Sequence, residues 1–297
     1  MTAETKNQFP MTGAACSPEQ RQKCNFPSVS ALRRLWLFLV LMACASVPAL
    51  AVGPTSTLYV MNYGEFSGGT VVGLDLFQGA TETSYPTGNP VDISIAVAGG
   101  DVRTMGYSGG DSGSRFNLAG GPLSGGPYLN TIQNSQLHDG TSDGLYNYSV
   151  NYTTGDVLQF DRNWGSPVTL FNLSGTLPGA GYITMNAADG SFWLSQWGGP
   201  DVVQHLTHTG TLLGSFNSGI LGSAGLALDP VDGTLWMSNG SQTLYQFSQA
   251  GVPLQSPTYS ISGSLYGMEF ATTPVPEPAS LAIMAMAAAL LAYRRRA

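Results

Sequence analysis

The chain has three histidines, His138, His205 and His208, and their spacing argues against shared chemistry. His205 and His208 stand three apart on an expected strand and turn. On a strand that spacing points them to opposite faces, which disfavours a common metal ion. All three are expected as exposed polar residues. Asp189 and Asp232 recur in similar settings, as turn residues do and catalytic acids seldom do. Asp111, Asp139 and Asp143 fall in Gly/Ser-rich stretches where oxygen ligands suit calcium. No complete calcium loop is present, so calcium is the one cofactor left open and none is assigned. Paired carboxylates for glycoside hydrolysis also stay open, because loops can bring any two together. Trp197, in "SQWGGPD", sits in an expected loop and could stack on a sugar, with Tyr182 or Tyr266 beside it. Trp193 and Trp236 occupy equivalent strand positions and are expected between packed units.

Composition narrows the menu further. All three cysteines (Cys16, Cys24, Cys44) lie in the first 51 residues, so residues 52–273 have no thiol nucleophile, thiolate metal site or disulfide. That body also has no lysine and only Arg103, Arg115 and Arg162, against 15 Asp and Glu, a formal charge of −12. Phosphate contacts need cations, so nucleic acid is not an expected partner. No Gly-x-Ser-x-Gly elbow, phosphate loop, dinucleotide fingerprint or His-Glu zinc motif occurs. No catalytic residue is assigned.

The elements that position these residues repeat. "GYITMNAADGSFWLSQWGGPDVVQHLTHTGTLLGSF" resembles "GLALDPVDGTLWMSNGSQTLYQFSQAGVPLQSPTY". Asp189-Gly190 matches Asp232-Gly233, and Trp193 matches Trp236, both at a spacing of 43 residues. Asp-Gly supplies the positive φ that a tight hairpin turn needs. A looser copy carries Asp143-Gly144. A period of 40–45 residues with several strands per unit marks a propeller. "STLYVMN" near the start resembles a second strand, and "GMEFAT" near residue 270 a first strand, so the last strand is expected to complete the first blade. The expected fold is all-β, a propeller of five blades with six as the alternative. The blades fall at 57–90 plus 266–272, 91–134, 135–180, 181–224 and 225–265, the second being Gly-rich and weakest. A β-sandwich or β-helix with similar hairpins is the competing reading. The "DP-DGTLW" strings are similar to those of NHL-type and lyase-like propellers.

The two ends have another character. Arg33 and Arg34 precede an apolar run from Leu35 to about Ala45, and Ala49-Leu50-Ala51 has the small-residue pattern of signal cleavage. Residues 1–51 are thus an extension plus secretory leader, 52–273 the exported domain and 274–297 a tail. Leu41-Met42-Ala43-Cys44 offers a poorer lipoprotein alternative. In the tail, Pro274, Pro276 and Pro278 keep the chain extended. Residues 280–293 are uncharged and rich in Ala, Leu and Met, expected as a short transmembrane helix of about 21 Å. Arg294, Arg295 and Arg296 stay in headgroups, which places the C-terminus on the cytoplasmic side.

Val275-Pro276-Glu277-Pro278, an apolar run and Arg294–Arg296 together resemble the PEP-CTERM sorting signal, also labelled an ice-binding-protein C-terminal motif. The resemblance implies a Gram-negative bacterium that makes extracellular polysaccharide. It also implies recognition at the Pro-Glu-Pro element by an exosortase, a membrane cysteine protease. The expectations that follow are Sec export, an inner-membrane intermediate held by the C-terminal helix, and a final place at the cell surface or in an extracellular matrix. Extracellular polysaccharide is the candidate partner. Two function classes remain: a non-enzymatic, glycan-associated interaction module, and a secreted propeller enzyme, a polysaccharide lyase or glycosidase.

Overall fold

The computed structural model describes residues 57–64, 68–76, 80–198, 201–259, 261 and 263–271. The regular elements there are all β-strands, and among the described residues no helix is long and apolar enough to cross a membrane. The leader, its cleavage residues Ala49 and Ala51, and the expected helix 280–293 lie outside the described residues.

The strands form a ring of five blades, not six. Blade one holds β1 (Thr57–Gly64), β2 (Gly68–Asp75) and β3 (Ala80–Pro86). Blade two holds β4 (Asp92–Ala98), β5 (Asp101–Gly106) and β7 (Arg115–Asn117), beside a small ribbon of β6 (Ser112–Gly113) and β8 (Tyr128–Leu129). Blade three runs β9 (Thr141–Ser142), β10 (Tyr146–Asn151), β11 (Asp156–Asp161) and β12 (Val168–Asn172). Blade four runs β13 (Ala180–Asn186), β14 (Ser191–Gln196), β15 (Val202–Leu206) and β16 (Leu212–Asn217). Blade five runs β17 (Gly225–Leu228), β18 (Leu235–Ser238), β19 (Leu244–Phe247) and β20 (Pro253–Gln255). The last strand, β21 (Ser264–Phe270), returns to blade one and pairs antiparallel with β1, Leu58 opposite Phe270 and Tyr63 opposite Ser264. Closure therefore mixes the two ends of the body in one sheet, as the repeat alignment predicts.

Burial grades outward. The second strands β5 and β14 are buried at every position, while the outer strands β16 and β20 are largely exposed. Inner strands are sandwiched by neighbouring blades on both faces, so they lose the polar–apolar alternation of a half-exposed strand. The apolar core is split into five clusters, one at each blade interface. Trp236 fills the interface of blades five and one with Leu58, Val60 and Leu74. Trp193 does the same between blades four and five with Leu226, Leu235 and Phe247. At roughly 1.5–3 kcal/mol per large buried side chain, such interfaces are the main source of stability in a body without disulfides.

Blade two departs from the pattern. Its third strand has only three residues, and the chain between Gly106 and Leu137 wanders through turns tied by Asn117 and Asn130. The glycines here let backbone approach backbone: a Cβ on Gly113 would sit 2.0 Å from the Thr104 carbonyl oxygen.

Candidate functional site

Five inner strands, β21, β4, β9, β13 and β17, surround the axis, and Asp139 sits on it. Its Oδ1 accepts N–H groups from Gly140 at 2.9 Å and Met268 at 2.9 Å. Its Oδ2 accepts from Leu226 at 3.1 Å and Ile183 at 3.4 Å. One carboxylate thus ties together the inner strands of blades one, three, four and five. Gly267 lets the strands close around it, since a Cβ there would lie 2.4 Å from the Ile93 carbonyl oxygen and 3.1 Å from Asp139 Oδ1. Burial pushes the Asp139 carboxyl well up from its ordinary value, and the four N–H groups pull the other way. Glu269 is buried beside it and also pushed well up, by burial first. The expectation of Asp139 in a loop open to calcium is corrected here: it is fully buried, and its oxygens face donors rather than a cation. Asp111 and Asp143 hold turns, Asp111 Oδ2 accepting from Ser108 N at 2.7 Å and Asp143 Oδ1 from Tyr146 N at 2.6 Å. Among the described residues no group of three His, Cys, Asp or Glu could hold a metal ion.

At one end of the channel lies a mouth lined by rings. The residue that follows the second strand is aromatic in three blades, Tyr107, Tyr152 and Trp197, with Asn239 in the fifth and Tyr63, last but one of β1, in the first. Tyr182 and Tyr266 join from the inner strands β13 and β21. His138 stands in the middle, its ring centroid 5.1 Å from Tyr107 and from Tyr152 and 5.9 Å from Tyr182 and from Trp197. Trp197 and Tyr266 lie near parallel, 17° apart with centroids at 6.1 Å, and Tyr63 meets Tyr266 edge-on at 5.9 Å. The cavity they leave is about 330 Å³ and is walled also by Val91 and Ile93. That is the low end of the range for small-molecule sites, with the usual apolar lining and few polar groups. A wider hollow of about 500 Å³, between the outer strands of blades four and five, is lined by Ile220, Tyr245 and Leu254 and has no titratable side chain but Tyr245.

His138 is 8 % exposed, and neither ring nitrogen has a hydrogen-bond partner among the described residues. Burial lowers its pKa to about 4, so the ring is neutral at physiological pH. The expectation of an exposed His138 is thereby corrected. His205 and His208 are not fully exposed either. His205 stacks on Trp193 at 4.1 Å and 3°, with Nε2 2.8 Å from Ser191 Oγ, and His208 stacks on Phe192 at 5.4 Å. Local spacing fixes which way a strand residue points, not what packs beside it.

The Asp-Gly pairs hold turns at the far end of the channel. Gly190 and Gly233 have φ of 74° and 71°. Asp189 Oδ1 accepts from Ser191 N at 2.9 Å and Oγ at 2.6 Å, and Asp232 Oδ1 from Thr234 N at 2.8 Å and Oγ1 at 2.7 Å. Residue-for-residue equivalence of these bonds is the turn chemistry read in the sequence.

All three arginines of the body meet at Asp101. Its Oδ2 lies 2.8 Å from Arg103 Nη2 and 2.6 Å from Arg115 Nε, and its Oδ1 lies 2.8 Å from Arg162 Nη2. Burial pushes the Asp101 carboxyl up, but these hydrogen bonds and charges outweigh it and hold it below its ordinary value. Arg103 continues to Asn163 Oδ1 at 2.8 Å and Arg162 to Ser142 Oγ at 2.6 Å, so the cluster pins the loop-rich blade two to blade three. Nothing in the spacing of these cations along the sequence signals that they converge.

The fold has counterparts among solved structures. A chain of a nidogen/laminin complex superposes with a TM-score of 0.51 at 13% identity, over 73% of this chain and 98% of that one. A protein of unknown function from Bacteroides caccae gives 0.44 at 14% identity, over 70% and 75%. Streptogramin B lyase gives 0.41 at 13% identity, over 71% and 72%. At such identities the likeness concerns the fold alone. No curated protein matches the chain in sequence. Residues 274–296 match the PEP-CTERM protein-sorting motif. The chain ends in a PEP-CTERM sorting signal. Val275, Pro276, Glu277, Pro278, Arg294, Arg295 and Arg296 all fall within the match. The PEP-CTERM match begins three positions after Ala271, the residue that follows the closing strand β21. The motif implies an exported protein recognised by an exosortase.

Proposed function

We propose that the protein is an exported cell-envelope or matrix component whose propeller is a non-enzymatic, glycan-associated module, and that the aromatic mouth is its binding surface. On this reading Sec export follows cleavage after Ala51, the tail holds an inner-membrane intermediate with its C-terminus cytoplasmic, and an exosortase acts at Pro276-Glu277-Pro278. The observation that carries the binding role is the convergence of Trp197, Tyr266, Tyr63 and Tyr107 on one cavity. Faces of aromatic rings suit the apolar C–H faces of sugars, and their polar rims suit water. The chemistry of the channel supports a binder over a lyase or glycosidase. Among the described residues no carboxylate lines the mouth, and the buried acids Asp139 and Glu269 are 0 % and 3 % exposed.

Retention of labelled host polysaccharide on the purified body tests this reading. Trp197→Ala is expected to reduce retention at least tenfold while the unfolding midpoint stays within about 2 °C, because Trp197 is 38% exposed and contributes little to the core. Unchanged retention would remove the mouth from the binding role. Release of reducing or unsaturated ends during the same incubation would favour the enzyme.

A further inference from the structure

The mouth is walled by rings and, among the described residues, by no Asp, Glu, Lys or Arg. Its rings alone would suit two ligands, a sugar or an alkylammonium group, since aromatic cages attract cations through the negative faces of their rings. Three features separate the candidates. Among the described residues no Asp or Glu lines the cavity, so a bound cation would find no counter-charge among them. No Arg does either, because Arg103, Arg115 and Arg162 are all committed to Asp101, so a uronate or sulfate would have no cationic partner. The third feature is His138, which lines the cavity and leaves both ring nitrogens without partners among the described residues while 92% buried.

A buried polar group with no hydrogen bond costs about 1–3 kcal/mol, and natural structures seldom leave one so. A neutral imidazole offers one N–H and one lone pair. A hydroxyl group, donor and acceptor at once, can meet either. A quaternary ammonium offers no hydrogen bond to a lone pair, and a carboxylate can meet only the N–H. The Tyr182 hydroxyl, 0 % exposed and also without a partner among the described residues, lies in the same ring of aromatics.

We infer that the mouth is a subsite for one neutral, unsubstituted pyranose, entering with an apolar face against Trp197 or Tyr266 and placing a hydroxyl on the imidazole of His138. A cavity of about 330 Å³ suits the end of a saccharide chain rather than a longer stretch of it. His138 is a specificity residue here and moves no proton. This inference rests on the glycan-binding reading above and narrows it to uncharged sugars presented end-on.

Tryptophan emission gives a direct readout. Trp197 is 38% exposed, whereas Trp164, Trp193 and Trp236 are 1%, 3% and 0 % exposed, so a ligand at the mouth perturbs Trp197 alone. The purified body is titrated with glucose, galactose, mannose and a neutral trisaccharide, and in parallel with glucuronate and choline. At least one neutral sugar is expected to saturate the signal, with glucuronate and choline at least tenfold weaker. Affinity is expected to stay level from pH 5.5 to 8, because His138 does not titrate there. His138→Phe keeps the ring and removes both nitrogens. It is expected to weaken the neutral sugar about tenfold, with the circular-dichroism spectrum and unfolding midpoint retained. A variant that fails to fold leaves the wild-type comparison decisive. Stronger binding of glucuronate or choline than of every neutral sugar would overturn this inference and leave the wider reading standing. Host polysaccharide that binds without perturbing Trp197 would overturn both.

Discussion

At the scale of single residues, buried acids set the response to pH. Asp92 opens β4 fully buried, with Thr104 Oγ1 donating to it at 2.6 Å and Asn89 Nδ2 at 2.9 Å. Burial raises its pKa from 3.8 to about 7 against those hydrogen bonds, and burial moves Asp139 and Glu269 in the same direction. An acid whose pKa rises on folding holds its proton more tightly in the folded state. Its contribution to stability is therefore complete below about pH 4 and is lost as pH climbs through about 7. The urea midpoint of the body is expected to fall between pH 5 and pH 8. Asp92→Asn, which imitates the protonated acid, is expected to flatten that slope by up to about 3 kcal/mol across the window. A midpoint that rises over the same range, or an unchanged slope in the variant, would contradict the account.

At the scale of elements, the closing strand carries the argument. β21 supplies the inner edge of blade one, the N–H of Met268 to Asp139 and the side chains Leu265, Met268 and Phe270 to the interface with blade five. A chain ended at Gly263 would expose the edge of β1 and empty that interface, and it is expected to aggregate or remain unfolded. A chain ended at Ala271 keeps every described strand and is expected to fold as the full body does. Thermal unfolding of the two truncations decides it, and a folded chain ended at Gly263 would refute the role given to β21. Much of this was legible in sequence. Asp189-Gly190, Asp232-Gly233 and the Trp193/Trp236 pair repeat locally, and turn chemistry and strand periodicity are local properties. Asp139, and the three arginines on Asp101, were not legible. The contacts that close these clusters, Arg162 to Asp101 and Ile183, Leu226 and Met268 to Asp139, span 44 to 129 residues and do not repeat. The mouth lies between these cases. Tyr63, Tyr107, Tyr152 and Trp197 recur every 44 or 45 residues. That period runs in step with the Asp-Gly turns only in part, since blade one lacks Asp-Gly and Gly99-Gly100 replaces it in blade two.

At the scale of the molecule, the two faces of the ring have different duties. β1 runs from Thr57 toward Tyr63 at the mouth, and β21 runs away from it, from Ser264 opposite Tyr63 to Phe270 opposite Leu58. Thr57 and Ala271, joined by an N–H to carbonyl bond of 3.2 Å, thus lie on the face of the Asp-Gly turns, opposite the aromatic mouth. The described body thus begins and ends on that face, and the PEP-CTERM match starts three positions beyond Ala271. The central claim is that this mouth receives sugar. It is tested most directly by titrating the purified body, residues 52–271, with the polysaccharide of its own host while following tryptophan emission. The account predicts a saturable change that vanishes in Trp197→Phe, a variant that keeps a ring in place. Binding with no change in emission, or the same change in the variant, would place the ligand elsewhere and contradict it.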